Sequence, residues 1–411
     1  MHTTPTGNFT YRLVVVFMIK TIFNLERYLP GNEVALVSGG EPYFSRLFEL
    51  IDSAKKLLHF QVYIFDEDET GKAVAEALKK ACQRGVEVFL AVDSYGSKDL
   101  SPAFIADLKE SGVHFKFFSP LPRHFYAFRL GRRLHSKVVV ADQSLALVGG
   151  INISNKYRGT AEEAPWLDFA LHIKGPVCVG LTRTCERIYR EKYFGRVRLR
   201  RKKKVLHPPN AVRSRFALND WFRRKNQIGA AYRAAFQKAR HSIVIVASYF
   251  MPSRTIRTAL KKASRRGVQI TVLLPGKSDI PMAKRATRYL YQELFQNKVS
   301  IYEWENSILH GKMAIVDKKW VTVGSYNLNH LSQFSSIEVN VEVLDKGFAA
   351  TAHEYLETLL QQSTLISADV FGQTQNRWNK FLDWASYTIG RWTMLFLFYL
   401  VQREHRLKEK E

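Results

Sequence analysis

One pattern of residue types occurs twice in this chain, and its internal spacing is identical in the two copies. The first copy consists of His135, Lys137, Asp142, Gly149, Gly150 and Asn152. The second copy consists of His310, Lys312, Asp317, Gly324, Ser325 and Asn327. A match repeated over so many positions is very hard to obtain by chance. The chain is therefore predicted to contain a duplicated unit that carries a functional site.

Each copy is predicted to form a β-hairpin that presents its polar side chains on one face. Residues two apart in a strand point to the same face, so each histidine projects together with its lysine. In the first copy, apolar runs at 137–141 and 145–148 flank a turn, and Asn152 follows the hairpin. Glycine at 149, 150 and 324 would let the backbone approach a ligand closely.

Brought together, the two copies would place two histidines, two lysines and two asparagines around one point. Such a group binds an anion through strong, charge-assisted hydrogen bonds. It also supplies a nucleophile and an acid, as phosphodiester exchange requires. Asp142 and Asp317 lie in the turns, on the wrong parity to face the same ligand. Structural hydrogen bonding is therefore the expected role of their carboxylates.

These motifs resemble the phospholipase D superfamily, whose signature is a duplicated HKD motif, over roughly residues 32–345. The resemblance implies a two-step exchange at phosphorus that uses no metal ion and no cofactor. It implies His135 as the nucleophile and His310 as the acid and base, although the sequence leaves the reverse assignment open. The remaining members of the implied catalytic motif are Lys137, Asp142, Lys312 and Asp317. The phosphate oxygens would be held by Lys137, Lys312, Asn152 and Asn327.

Two further carboxylates, Asp168 and Glu338, lie in strand-like alternation downstream of the two motifs. In the superfamily, an acidic residue at about this place accepts the other ring nitrogen of the motif histidine. Such a partner fixes the histidine tautomer and stabilises the imidazolium. The alternative interpretation is that both residues lie on a solvated strand face.

The motifs belong to a longer repeat. The segment 78–90 matches 260–273, and each reads as a helix end, a glycine cap and a buried strand. Helices alternating with buried strands predict two similar α/β sandwich halves, related by a pseudo-two-fold axis with the active site at their interface. The predicted organisation is an apolar segment at 1–31, a first half at 32–195, a basic linker at 196–210, a second half at 211–366 and an aromatic-basic tail at 367–411.

The charge of the chain predicts a polyanionic partner. Its 62 Lys and Arg against 37 Asp and Glu give a formal net charge of +25. Nucleic acid and an anionic membrane surface both fit this charge. No helix-turn-helix, zinc-finger or RNA-recognition pattern occurs, so nucleic acid is not the expected partner. The three cysteines have no zinc-type spacing, and no obligate protein partner is evident.

The ends of the chain favour the membrane. The apolar run 13–19 is too short to span a bilayer. The tail is rich in aromatic residues, and its apolar stretch 392–401 is flanked by basic residues. This composition is typical of a helix at the membrane interface. A C-terminal helix packed on the protein body is the alternative.

Within the superfamily, the segments 60–68, 93–97 and 309–328 resemble bacterial cardiolipin synthases of the phospholipase D type. The resemblance implies transfer of a phosphatidyl group between two phosphatidylglycerol molecules through a phosphatidyl-histidine. The chain lacks the two membrane-spanning helices with which some such synthases begin, so peripheral attachment to the cytoplasmic face is expected. Three alternatives remain: hydrolysis to phosphatidic acid, a nucleic-acid phosphodiesterase, and a lipid-binding protein without activity.

Overall fold

The structure is a computed structural model that describes residues 28–119, 132–190, 211–220, 223 and 225–408. The predicted apolar run at 13–19 and the basic run at 196–204 lie outside the described residues. Within the described residues, no helix combines the length and the apolarity needed to cross a membrane.

The first half contains one mixed sheet and its helices. In chain order its elements are β1 (Leu29–Ser38), α1 (Glu41–Ser53), β2 (Leu57–Val62), α2 (Glu69–Gln83), β3 (Glu87–Asp93), α3 (Pro102–Glu110), β4 (His114–Phe118), β5 (Arg133–Leu134), β6 (Lys137–Ala141), β7 (Leu145–Gly149), α4 (Asn155–Arg158), β8 (Phe169–Lys174) and α5 (Val177–Arg190). The strand order in the sheet is β4-β3-β2-β6-β7-β8-β1. Strands β2, β3 and β4 run parallel to one another, and the other pairings are antiparallel.

The second half repeats this arrangement. Its elements are β9 (Val212–Asp220), β10 (Lys225–Asn226), α6 (Gln227–Lys238), β11 (Ser242–Ala247), α7 (Arg254–Arg265), β12 (Gln269–Pro275), α8 (Pro281–Arg288), α9 (Tyr291–Gln296), β13 (Val299–Trp304), β14 (Lys312–Val316), β15 (Trp320–Gly324), α10 (His330–Phe334), β16 (Ser336–Leu344), α11 (Lys346–Gln361), β17 (Thr364–Ile366), α12 (Ala368–Thr374) and α13 (Arg377–Lys408). The order β13-β12-β11-β14-β15-β16-β9 matches the first sheet strand for strand, with β17 added beside β13. The predicted fold of two similar α/β halves is confirmed.

Local sequence signals explain how the repeated elements begin and end. Asp68 caps α2 by accepting a hydrogen bond from the backbone N–H of Gly71. Gly85 and Gly267 follow the equivalent helices α2 and α7 with φ of 85° and 84°. This left-handed conformation suits glycine at a helix C-terminus, as the sequence predicted.

Three hydrophobic clusters give the molecule a layered core. One outer cluster lies beneath α1 and α2, and the other lies beneath α6 and α7. The inner cluster joins both sheets with α5 and α11, and it includes Val140, Leu171, Met313 and Val341. Because β6–β8 and β14–β16 contribute to this one cluster, the two halves bury apolar surface against each other. This packing fixes the relative position of the two motifs.

Candidate active site

Short backbone contacts between the halves hold the two motif histidines. The N–H of His135 donates to the carbonyl of Ile337, 3.1 Å away, beside the parallel pairing of β5 with β16. The N–H of His310 donates to the carbonyl of Leu167 at 2.8 Å. Leu167 and Leu309 form the matching bridge. Each histidine is therefore positioned by the half to which it does not belong.

The carboxylates cross between the halves in the same way. His135 Nδ1 lies 2.9 Å from Glu338 Oε2, and His310 Nδ1 lies 2.7 Å from Asp168 Oδ2. In the sequence, Asp168 follows His135 and Glu338 follows His310. In the structure, each carboxylate contacts the histidine of the other half. Both carboxylates are fully buried. Neither lies on the solvated strand face that was the alternative expectation.

The second residue of the glycine pair, Gly150 in one copy and Ser325 in the other, differs because it contacts these two carboxylates. Ser325 donates its hydroxyl to Glu338 Oε2 at 2.5 Å. At the equivalent Gly150, an added Cβ would lie 2.3 Å from Asp168 Oδ1. A serine therefore supports the glutamate, whereas only glycine leaves room for the aspartate.

Gly149 and Gly324 serve strand packing and not a ligand. A Cβ added at Gly149 would lie 2.3 Å from the carbonyl oxygen of Phe169, and one at Gly324 would lie 2.3 Å from that of Val339. Real Cβ atoms do not tolerate such contacts, so β7 and β15 need glycine where they meet β8 and β16. The expectation that these glycines let the backbone approach a ligand is replaced by this packing role.

The two lysines lie beside the histidines, as strand alternation predicts. Lys137 Nζ donates to the carbonyl oxygen of His135 at 2.8 Å, and Lys312 Nζ donates to that of His310. Both ammonium groups are almost fully buried. Burial lowers the pKa of Lys137 to about 7 and that of Lys312 to about 8. Two desolvated ammonium groups close together attract an anion strongly.

The two asparagines also reach the site. Asn152 and Asn327 both line the cleft that contains the histidines. Asn152 donates to the hydroxyl of Tyr157 at 2.7 Å and accepts from the N–H of Ile64. Asn327 Oδ1 accepts from the hydroxyl of Ser248 at 2.8 Å. Because Oδ1 accepts this bond, the amide nitrogen Nδ2 of Asn327 is the group left to donate a hydrogen bond to an anion.

The histidine rings are set for proton transfer. Burial lowers the pKa of His135, and it lowers the pKa of His310 well below its ordinary value. Burial also raises the pKa of Asp168, to about 6. At neutral pH the Asp168 carboxylate accepts, so His310 donates through Nδ1–H. The lone pair on Nε2 then faces the cleft, where it can attack phosphorus or exchange a proton.

The motif aspartates lie apart from this chemistry. The Asp142 carboxylate accepts from the backbone N–H groups of 55–57 at 2.8–3.0 Å. Asp317 makes the equivalent bonds to 240–242. Both residues have positive φ, 49° and 52°, at the first position of their hairpin turns. The structure therefore places these two members of the HKD motif as turn residues that anchor the start of β2 and β11.

Comparison with known proteins assigns the family. Residues 47–167 and 232–360 match the family model described as "Cardiolipin synthase, PLD-like domain". The chain belongs to this family. Cardiolipin synthase B of Salmonella typhi is 33% identical over 337 residues, which cover 80% of this chain and 81% of that protein. A cardiolipin synthase of Geobacillus thermodenitrificans is 31% identical over 318 residues, 75% of this chain and 62% of that protein.

Solved structures share the fold of this cardiolipin synthase family member. Phosphatidylserine synthase of Haemophilus influenzae gives a TM-score of 0.71 at 15% identity, covering 94% of this chain and 99% of that chain. Polyphosphate kinase of Porphyromonas gingivalis gives a TM-score of 0.57 at 16% identity, covering 82% and 49% of the two chains. At these identities the likeness concerns the fold alone.

Sequence reasoning missed the aromatic residues that surround the histidines in this family member. The ring of Tyr63 lies 5.0 Å from that of His135, and Tyr157 lies 5.3 Å from His310. Trp166 and Tyr249 lie farther from His310, at 5.9 and 6.3 Å. Tyr63 directly follows β2, and Tyr249 is the second residue after β11. The signal in the sequence that could have revealed these two tyrosines is a polar aromatic residue shortly after each of two equivalent parallel strands.

The C-terminal helix forms part of the cleft wall. Ser386 and Gly390 of α13 line the cleft, whose volume is about 660 Å³. Asp383 of the same helix accepts from Arg285 of α8 at 3.3 Å, and Tyr387 stacks on Tyr289 at 4.7 Å. One face of α13 therefore packs on the body, which was the alternative expectation for the tail. Other side chains of α13 are exposed and apolar, namely Trp378, Phe381, Trp384, Ile389 and Trp392.

Proposed function

We propose that this protein is a cardiolipin synthase that transfers a phosphatidyl group from one phosphatidylglycerol to another and releases glycerol. The observation that carries the proposal is that two histidines, each on a buried carboxylate and each beside a buried lysine, line one cleft. The relatives named as cardiolipin synthases match across most of this chain, which supports the same reaction here.

The first step of the proposed reaction forms a covalent intermediate. The Nε2 lone pair of His135 attacks phosphorus, and the bond from phosphorus to the glycerol oxygen breaks. His310, protonated at Nε2, gives that proton to the departing oxygen, so neutral glycerol leaves. Glu338 stabilises the positive charge that develops on His135. The lysines and asparagines hold the non-bridging oxygens, and the phosphate charge in turn favours a protonated His310.

The second step reverses the first with a different alcohol. A hydroxyl of a second phosphatidylglycerol attacks phosphorus and loses its proton to Nε2 of His310. The bond between phosphorus and His135 breaks, which restores a neutral imidazole and completes cardiolipin. The reaction is equally balanced if His310 is the nucleophile and His135 the acid and base. The histidine that carries the phosphatidyl adduct therefore decides which assignment is correct.

We further propose that the cleft mouth rests on an anionic membrane surface, with the protein attached peripherally on the cytoplasmic face. Ile280, Met282 and Leu331 line the cleft and are also exposed, by 46%, 48% and 38%. The exposed aromatic residues of α13 extend this apolar rim. A lipid could then enter the cleft without its chains crossing water. Three free cysteines fit a reducing compartment.

The test is product analysis by mass spectrometry. The protein is incubated with phosphatidylglycerol vesicles beside His135→Ala and His310→Ala, with His241→Ala, an exposed histidine outside the cleft, as the matched control. Cardiolipin and glycerol are expected with the parent protein and the control and absent with the two cleft variants. Phosphatidic acid alone would mean that water accepts the group. No lipid product, with cleavage of a soluble diester retained, would overturn the lipid assignment.

The intermediate is tested separately. Acid-quenched protein is digested, and the peptides that contain 135 and 310 are searched for a phosphatidyl adduct. An adduct on His135 is expected, and it should accumulate in His310→Ala with an activated diester. An adduct on His310 that persists in His135→Ala would reverse the two roles.

A further inference from the structure

A tyrosine–aspartate pair lies in the cleft beside His310. Tyr249 follows β11 and Asp279 follows the adjacent parallel strand β12. Because carboxyl ends of parallel strands meet at one sheet edge, the two side chains come together there. The Tyr249 hydroxyl donates to Asp279 Oδ2 at 2.6 Å. Both residues line the cleft, and the Tyr249 ring lies 6.3 Å from the His310 ring.

The pair has no counterpart in the first half. Ile64 occupies the position equivalent to Tyr249, and Ser97 stands at the corresponding distance after β3. The Ser97 hydroxyl accepts from the backbone N–H of Phe65 and donates to the carbonyl of Tyr63. It is therefore committed to the local fold. Among the residues that the structure describes, this pair lies beside one of the two equivalent histidines, which fits a step that only one of them performs.

Against the lowering caused by burial, the negative charge of Asp279 raises the pKa of His310 and of Lys312, and its carboxylate also has oxygen lone pairs left for a ligand. The carboxylate is exposed, and within the described part of the chain its hydrogen-bond partner is the Tyr249 hydroxyl, with no lysine or arginine in an ion pair. Its remaining lone pairs stay available to hydroxyl donors. It would repel a second anionic group and attract neutral groups rich in O–H bonds. Burial raises the pKa of Tyr249, which keeps that hydroxyl protonated and aligned as a donor.

We propose that Tyr249 and Asp279 form the subsite that binds the hydroxyl groups of the polyol headgroup. This inference rests on the proposed function, in which His310 gives a proton to one alcohol and takes one from the next. Leaving and entering alcohols occupy the same side of phosphorus in such an exchange. One subsite beside His310 therefore holds both the departing glycerol and the glycerol hydroxyl that attacks. His135, on the other side of phosphorus, needs no such partner.

Competition between acceptors tests the subsite. Phosphatidylglycerol vesicles are incubated with equal concentrations of deuterated glycerol and 1-propanol, which have the same number of carbons. Mass spectrometry then gives the ratio of labelled phosphatidylglycerol to phosphatidylpropanol. Both products come from one intermediate and one base, so the ratio does not depend on how fast the intermediate forms. The variants are Asp279→Asn and Tyr249→Phe. Glu305→Gln, an exposed carboxylate after the next strand β13, is the matched control.

The parent protein and the control are expected to favour glycerol over 1-propanol. Loss of a hydrogen bond to a charged group lowers this preference by about tenfold or more in Asp279→Asn, and by less in Tyr249→Phe. Cleavage of bis(p-nitrophenyl) phosphate, which has no hydroxyl headgroup, should stay within about twofold in Glu305→Gln, and measurable cleavage by the two subsite variants shows that they are folded. An unchanged ratio in Asp279→Asn would overturn the subsite. So would a stronger preference of the parent protein for ethanolamine than for glycerol.

Failure of the subsite and failure of the proposed function give different results. If the parent protein makes no cardiolipin but exchanges labelled glycerol with a preference that Asp279→Asn lowers, the synthase proposal is wrong and the subsite stands. If it makes cardiolipin while glycerol preference is the same in every variant, the synthase proposal stands and the subsite is wrong.

Discussion

At the scale of single residues, two glutamates on β16 are expected to have different roles, one in catalysis and the other in stability. Glu338 and Glu342 are both buried on β16 and share a face, being four residues apart. Glu338 contacts His135, whereas Glu342 accepts from Arg215 at 2.9 Å and from the hydroxyl of Tyr28 at 2.7 Å. The first carboxylate contacts the ring of the proposed nucleophile, and the second pairs with an arginine of the neighbouring strand β9.

Substitution by glutamine is expected to affect the two positions differently. In Glu338→Gln the amide can donate to His135 Nδ1, which moves the ring proton to Nε2 and removes the nucleophilic lone pair. Turnover of bis(p-nitrophenyl) phosphate should fall by about 100-fold or more. In Glu342→Gln turnover is retained, while the free energy of unfolding in urea falls by about 3–5 kcal/mol because Arg215 loses its charged partner. Full turnover in Glu338→Gln would contradict the assigned role.

The buried lysines predict how activity depends on pH. Burial lowers the pKa of Lys137 to about 7 and that of Lys312 to about 8, so both ammonium groups lose their protons on the alkaline side of neutrality. A neutral amine cannot offset the charge of a phosphodiester. The kcat/KM for a soluble diester should therefore fall between about pH 7 and about pH 9. Inhibition by inorganic phosphate should weaken over the same interval. A flat profile to about pH 9 would show that the lysines remain charged.

At the scale of elements, strand alternation predicted which side chains of one motif lie together, but not their partners in the other motif. Parity put His135 with Lys137 and excluded Asp142, and the structure agrees on all three placements. The crossed contact with Glu338 depends on the pairing of β5 with β16, which joins segments far apart in the chain. No local pattern encodes that pairing. It follows from how two sheets pack.

The sequence predicted a C-terminal helix but not the face with which it packs on the body, because that face depends on contacts with another element. Aromatic and basic composition indicated an interfacial helix of about ten apolar residues. The helix α13 has 32 residues and begins at Arg377. Its polar residues Asp383 and Ser386 are buried against the body and the cleft. Contacts to Arg285 and Tyr289 lie in another element, so composition alone could not reveal this packed face.

Because α13 is part of the cleft wall, point substitutions test its membrane role better than truncation does. The triple change Trp378→Ser, Phe381→Ser and Trp384→Ser alters exposed side chains and leaves the packed face intact. Affinity for vesicles of phosphatidylglycerol and phosphatidylcholine, measured by sedimentation, should fall about tenfold or more. Cleavage of a soluble diester should not change. Leu365→Ser, an equally exposed apolar residue on β17 outside the cleft, is the control. Equal loss of vesicle binding in both would mean that the apolar rim has no special role.

At the scale of the whole molecule, the internal repeat predicted nearly everything that the two halves share. It predicted two similar sheets and one cleft between them. It did not predict Tyr249 and Asp279, because a repeat draws attention to positions that match, and Ile64 and Ser97 do not match them. In the proposed exchange, the symmetric residues would provide the chemistry common to both steps. Residues that differ between the two halves, such as Tyr249 and Asp279, can give the two equivalent histidines different roles.

The inner cluster also predicts how the molecule unfolds. Since this one cluster includes strands of both sheets, neither half can lose its structure without exposing apolar surface of the other. The repeat offers a matched pair of probes in the outer cores, Leu78 of α2 and Leu260 of α7. Leu78→Ala leaves a cavity in the first half only, at a cost of about 2–5 kcal/mol. Leu260→Ala does the same in the second half.

Hydrogen exchange in increasing urea, read by mass spectrometry on peptides from β2 and β11, tests this cooperativity. In Leu78→Ala both peptides should lose protection at the same lowered urea concentration, although β11 lies in the unaltered half. Leu260→Ala should lower both midpoints equally in return. If β11 kept its original midpoint in Leu78→Ala, the halves would unfold independently. The crossed pairs between His135 and Glu338 and between His310 and Asp168 would then have to be maintained by local contacts, and not by the shared core.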